Sequence, residues 1–211
     1  MRTLLLAAAT VLSATALCAQ TPVSVVGRVE PAGTPPACDP TATHRLRDTP
    51  VFLRSALVDL NTVGAGSVRI VGTVADLSCP VIDVVSSSPS PISLSVCNAT
   101  ALGCPVTLDL CPAPVGSAYA IAVSTGTSFV PIDPVLGSLL IDPAGLQIIA
   151  VGAIGAICQS TPITMPTAPA AIGKQVPLQA IAVGPTTQIL SNVHVVTVQP
   201  PSVPCTNFVC F

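Results

Sequence analysis

Charge is what this chain has least of. Seven basic and nine acidic residues make up only 8% of 211, where an ordinary soluble domain carries about a quarter. Glu30 is the only glutamate and Lys174 the only lysine; tryptophan is absent and tyrosine occurs once. Long amphipathic helices draw on Glu, Lys, Arg and Gln, so a helical bundle is excluded. Binding of single-stranded nucleic acid wants a basic groove with aromatic stacking platforms. The net charge of −2 and a pI near 5.4 offer no such groove, and Phe52 is the one aromatic in the first half. No nucleic-acid partner is expected. Signatures of catalysis are missing too. There is no G-x-S-x-G nucleophile elbow and no P-loop. Gly64-Ala65-Gly66 lacks the third glycine and the following helix of a dinucleotide site. The chain is read as a non-enzyme without a cofactor.

Small aliphatics, proline and cysteine are what it does have. Half the residues are apolar, enough to bury a core, with 23 Pro and 14 Gly. Those apolar residues are mostly Val, Ile, Leu and Ala, and β-branched side chains suit a pleated, half-buried surface. An all-β chain punctuated by proline turns follows. At the start, Met1-Arg2-Thr3 precedes an uncharged apolar run from Leu4 to Leu17, then small residues and Gln20. That order reads as a secretory signal peptide over 1–19, cut after Ala19. Cys18 raises a lipoprotein alternative, but the bulky Leu17 before it is unsuited to that processing. Leu146 to Cys158 is also uncharged. As a helix it would reach about 20 Å, short of a hydrocarbon core near ~30 Å. Gly152 and Gly155 interrupt it, and a buried strand pair is the better reading. No transmembrane helix is expected in the mature chain.

Of nine cysteines, eight follow the leader: Cys38, Cys79, Cys97, Cys104, Cys111, Cys158, Cys205 and Cys210. An even count in an exported chain favours disulfides. Pairing cannot be deduced from sequence, though two guesses are cheap. Cys38 and Cys79 are the only pair in the first half, and Cys205 and Cys210 share a short tail. Zinc would need closely spaced thiolates, and the regular spacing of Cys97, Cys104 and Cys111 is too wide.

A seam falls at Ser86-Ser87-Ser88-Pro89-Ser90-Pro91, a polar, proline-bearing link between apolar segments. Before it stand Arg28, Arg45, Arg47, Arg54 and Arg69 with six acids; after it only Lys174, Asp109, Asp133 and Asp142. Five strands are expected in the first half: Val23–Glu30, Ala42–Arg47, Pro50–Ser55, Ser67–Ala75 and Pro80–Ser86. Gly72 suggests a bulge or tight bend within the fourth. Val58-Asp59-Leu60-Asn61 suits a short helical turn between the third and fourth. Three strands, a connection and two strands is the order of an OB-type barrel.

Gly27-Arg28-Val29, Val51-Phe52-Leu53-Arg54-Ser55, Val58-Asp59-Leu60 and Val68-Arg69-Ile70-Val71-Gly72-Thr73-Val74 together resemble bacterial exported OB-fold domains. The second half shows Ala118 to Ser124, then Gly137-Ser138-Leu139-Leu140-Ile141-Asp142-Pro143, then Val176 to Val183 with Gln179-Ala180, then Ile189-Leu190-Ser191-Asn192 and Val193–Val198. This order is similar to the carboxy-terminal β-sandwich of exported planctomycete-type bacterial proteins. That family usually carries a more aromatic strand near Gln179. The resemblance implies a sandwich with no chemistry attached.

Each polar candidate site has a plainer role. His44 and Asp48 share a face if Ala42–Arg47 is a strand extended by one residue, with Asp39 nearby. A metal or acid–base site could use them, but an ordinary surface strand explains them better. His194 falls beside Val196 and Val198 and reads as a strand histidine. Asp133-Pro134 and Asp142-Pro143 read as turns rather than calcium ligands, which come six or more at a time. Asn98-Ala99-Thr100 matches a glycosylation sequon.

The expectation is an all-β protein: a five-stranded OB-like barrel over 22–87, a linker over 88–91, an antiparallel β-sandwich over 92–199 and a cysteine-containing tail over 200–211. It is secreted or held at the cell surface, with a structural, adhesive or partner-recognition role toward an extracellular protein or glycan. The alternative is a small-ligand or glycan site on the barrel face near Phe52, Arg54 and Arg69.

Overall fold

Alternation of apolar and polar residues sets the first half. The computed structural model describes residues 20–133, 135–185, 188–203 and 205; residues 1–19, expected as a signal peptide and including Cys18, lie outside them, as does Cys210. Six strands form one sheet: β1 (Thr21–Gly27), β2 (Val29–Pro31), β3 (His44–Leu46), β4 (Phe52–Arg54), β5 (Val68–Val74) and β6 (Val81–Pro89). Their order in the sheet is β1-β5-β6-β4-β3-β2, antiparallel except for the parallel β4–β6 pair. Only Arg28 separates β1 from β2, so the strands at the two ends of the sheet are one bent strand that curls the sheet on itself.

β5 shows the pattern most plainly. Val68, Ile70, Gly72 and Val74 are buried while Arg69, Val71 and Thr73 are partly exposed. At Gly72 the β5–β6 register shifts, and a Cβ there would stand 2.2 Å from the Asp83 carbonyl oxygen. The irregularity falls at the expected glycine, although the extra residue it leaves out of register is Val85 of β6; glycine is the residue that allows so close a backbone approach. Between β4 and β5, Asp59 caps the 3-10 turn Leu60–Thr62 by accepting from the Asn61 N–H. That is the expected short helical turn.

The rest of the chain is also strand: β7 (Leu94–Cys97), β8 (Pro105–Leu110), β9 (Ala118–Val123), β10 (Thr127–Asp133), β11 (Gly137–Ile141), β12 (Gln147–Ala153), β13 (Gln159–Thr164), β14 (Gln175–Val183) and β15 (Gln188–Thr197). They make a four-stranded sheet, β12-β9-β14-β15, a three-stranded sheet, β13-β8-β7, and the β10–β11 hairpin. Between the two larger sheets lies a core that includes Leu94, Leu108, Ile121, Leu178 and Val196, giving a β-sandwich-like packing. The all-β expectation therefore stands.

Three local expectations differ from what the chain does. Ser86 to Pro89 is not a loose link but the end of β6, with Ser88 opposite Arg69 and Pro89 opposite Val68. Pro89, which has no N–H to donate, is tolerated as the last residue of the strand. Leu146 to Cys158 is not a buried strand pair. It holds one strand, β12, whose residues are almost all exposed, followed by a loop. Cys205 does not pair within the tail: it is bonded to Cys104, 101 residues earlier. Cys38–Cys79 is bonded as expected, and Cys111–Cys158 makes a third bridge. Cys97 is disulfide-bonded as well.

The halves are joined through β1, which is buried on both faces from Val23 onward. Val23 and Val25 face the barrel core, and Val26 on the opposite face joins the sandwich core. In return, Leu140, Ile141 and Val193 from the second half extend the barrel core. The Ser138 hydroxyl donates to the Ser24 carbonyl (2.9 Å) across the same junction.

Candidate functional site

Phe52, Arg54 and Arg69 are the residues the sequence offers for a ligand. Phe52 and Arg54 alternate with buried Leu53 and so project from the outer face of β4. Arg54 is spent within the chain. Its Nε and Nη2 grip both oxygens of Asp83, at 2.5 and 2.8 Å, and its Nη1 bonds Asp39 and the Thr41 hydroxyl. Such a bidentate guanidinium–carboxylate fork is the strong form of ion pair. The Asp83 bonds push the guanidinium pKa up, and the Thr41 hydroxyl first, with Arg54 assisting, holds Asp39 below the usual carboxylate range.

Arg69 lies elsewhere. Its Nε donates to the Ser24 hydroxyl (2.9 Å) and its Nη2 to the Val135 carbonyl (3.0 Å), so it clamps the barrel to the β10–β11 hairpin. Arg54 sits opposite Asp83, Asp83 opposite Thr73, and Arg69 four residues along β5 from Thr73. At about 4.8 Å per strand and 3.4 Å per residue, the two arginines are roughly 17 Å apart. They do not converge on one ligand.

His44 and Asp48 are not brought together on a face either. β3 ends at Leu46; His44 shares its inner side with Leu46 and is only 6% exposed, its Nδ1 2.9 Å from the Thr43 hydroxyl. Asp48 lies beyond the strand in an exposed turn, at φ 62°. That left-handed backbone suits aspartate, whose short side chain tolerates it. The charges that act on His194 are instead Asp48, Arg28 and Arg47, while burial, the larger effect, lowers its pKa. The β3–β4 turn is held near it by the Arg47 N–H bond to the Arg28 carbonyl (2.9 Å).

The aspartates followed by proline serve as turn caps. Asp133 accepts from the N–H groups of Val135 and Leu136, and Asp142 from that of Ala144. Among the described residues, no three His, Cys, Asp or Glu side chains group as a metal site would need. No helix among them is long and apolar enough to cross a membrane.

Sequence reasoning missed the polar residues that matter most to the architecture. Gln179 is 2% exposed: its Oε1 accepts from the Leu140 N–H (2.9 Å), and its Nε2 donates to the Ser191 and Ser138 carbonyls. Asn192 is 3% exposed. Its Oδ1 accepts from the Leu94 N–H (2.8 Å), and its Nδ2 donates to the Leu94 carbonyl (2.9 Å). A register shift interrupts the β14–β15 ladder between Gln179 and Ile181, and the freed Ala180 N–H bonds the Ser191 hydroxyl (2.9 Å). The signal was an amide in an otherwise aliphatic strand, which must find partners where it is buried.

A scan of protein-family models matches no family, and searches of curated proteins and of solved structures return no match.

Proposed function

We propose that this is a non-catalytic exported protein, secreted or held at the cell surface, in which an OB-type barrel and a β-sandwich form a scaffold for partner recognition or adhesion. The observation that carries this reading is the covalent framework. Cys38–Cys79, Cys104–Cys205 and Cys111–Cys158 tie segments 41, 101 and 47 residues apart. Such bridges persist in oxidising compartments and are rare in the cytosol. The apolar start of the chain fits a leader that would deliver it there. Five strands closed through a break at Arg28, with a 3-10 turn after the third, agree with the OB order.

The recognition role draws support from where the charged groups go. Arg54 and Arg69 are bonded internally, whereas Ile148, Val151, Ile157 and Val183 remain exposed. Exposed aliphatic surface of this kind marks interaction sites. Expression of the full chain with its own leader, followed by non-reducing peptide mapping of material outside the cytoplasm, tests the reading. The three bridges above should be recovered intact. Fully reduced protein retained in the cytosol overturns it.

A further inference from the structure

We infer that β12 is a self-association edge, and that its occupant is β12 of a second copy, paired antiparallel to extend the four-stranded sheet across a twofold axis. The inference rests on the recognition reading above and names the partner.

Other sheet edges in the molecule are blunted. In the six-stranded sheet the end strands β1 and β2 run into each other through Arg28. β15 is continued toward the opposite sheet by Asn192, whose amide takes both backbone groups of Leu94 as a neighbouring strand would. β13 carries Pro162 at its centre, a residue without a ladder donor. β10 carries Pro131 and ends on Asp133. Prolines, charges and side-chain covers are the devices by which natural sheets blunt their edges.

β12 has neither proline nor charge. Its sequence is Gln-Ile-Ile-Ala-Val-Gly-Ala, it stands last in its sheet, and Ile148 and Val151 are 62% and 71% exposed. A register shift between Ile148 and Ala150 is its one irregularity; Ala150 to Ala153 then pair with Ile121 to Ala118 without a break. Gly152 does not weaken that stretch. The ring of Tyr119 opposite lies where a Cβ would be, and its hydroxyl is 2.6 Å from that of Thr161, so the inner side of the edge is filled. On the outer side, Val151 lies in register with Ala120 and Ile181, and Ala153 with Ala118 and Val183. The result is an aliphatic strip whose outer margin pairs with no strand among the described residues.

A second copy fits this margin for three reasons. An uncharged strip neither repels its own copy nor selects a charged partner. A strand paired antiparallel to itself is isologous, so each chain offers and fills the same patch. Because both chains use the same edge, a twofold contact there closes on itself and pairing ends at two. A strip of this size buries on the order of 500 Å² per chain, the range of weak, reversible interfaces.

Sedimentation velocity of the full, oxidised protein across a micromolar dilution series is the test, with amide hydrogen exchange of residues 147–153 followed over the same series. The expected result is a monomer–dimer equilibrium in which those amides exchange more slowly as concentration rises. Val151→Lys should weaken the dimer at least ~10-fold by placing like charges beside the twofold axis, with the disulfide map unchanged. Leu57→Lys, on an exposed barrel loop, should leave the equilibrium as it was. A monomer at every concentration overturns the inference, as does a dimer whose β12 amides ignore concentration or one that Val151→Lys leaves intact. A monomer that is still exported and disulfide-bonded leaves the recognition role standing with another partner.

Discussion

Asn192 does with one side chain what a strand does with its backbone. Replacing it by leucine would leave the buried N–H and C=O of Leu94 without partners, and each such loss costs about 1–3 kcal/mol. Asn192→Leu is therefore expected to lower stability by about 2–4 kcal/mol, read as a lower urea midpoint at unchanged slope. Gly72 is as constrained for a different reason. A methyl group there would collide with the backbone of Asp83, so Gly72→Ala should cost at least about 2 kcal/mol in the same assay. His194 gives a pH dependence whose sign follows from its depressed folded pKa. The unfolded chain takes up the proton near 6.5 while the folded chain resists it. The stability that His194 lends is thus complete above pH 6.5 and declines as pH falls below it. His194→Gln should flatten that part of a thermal-midpoint profile between pH 7 and 5. Little of this was legible in the sequence, because Gln179, Asn192 and Gly72 matter through the atoms opposite them. Gly72 was readable only because a glycine in a strong strand pattern points to a bulge.

At the level of elements, alternation locates β5, since period two is what a half-buried strand requires. β14 and β15 are buried in continuous runs and carry no such signal. The break at Arg28 was hidden because both sides of it are strand. β12 was misread as buried because an uncharged aliphatic run looks the same inside a core or along an exposed edge. The bridges decide what holds the short elements in place. β3 and β4 have three residues each, too few to stand alone, and Cys38–Cys79 ties the loop before β3 to the start of β6. Replacing both cysteines by serine should cost about 2–4 kcal/mol, since a 41-residue closure is removed from the unfolded chain's constraints. Chemical denaturation of oxidised protein against the double variant measures it.

Across the whole molecule, the expected division into barrel and sandwich understates how far they share material. Val26 belongs to the sandwich core, while Leu140, Ile141 and Val193 serve the barrel. Arg69 and Ser138 both bond Ser24 at the junction. The two halves should therefore melt together, with near- and far-ultraviolet circular dichroism giving one coincident transition. Two separated transitions would mean the shared core contributes little. Composition revealed the β class and the seam in charge density, but a core built from residues more than a hundred positions apart leaves no local trace.

The Cys104–Cys205 bridge carries a consequence for biosynthesis. Cys104 emerges during synthesis 101 residues ahead of its partner, with Cys97 and Cys111 close beside it and able to react first. The correct bond must wait until β15 has been laid down and Gln199 has docked on Thr100 through its N–H (2.9 Å). An oxidising catalyst that can undo early mispairing would be the natural assistant of that closure.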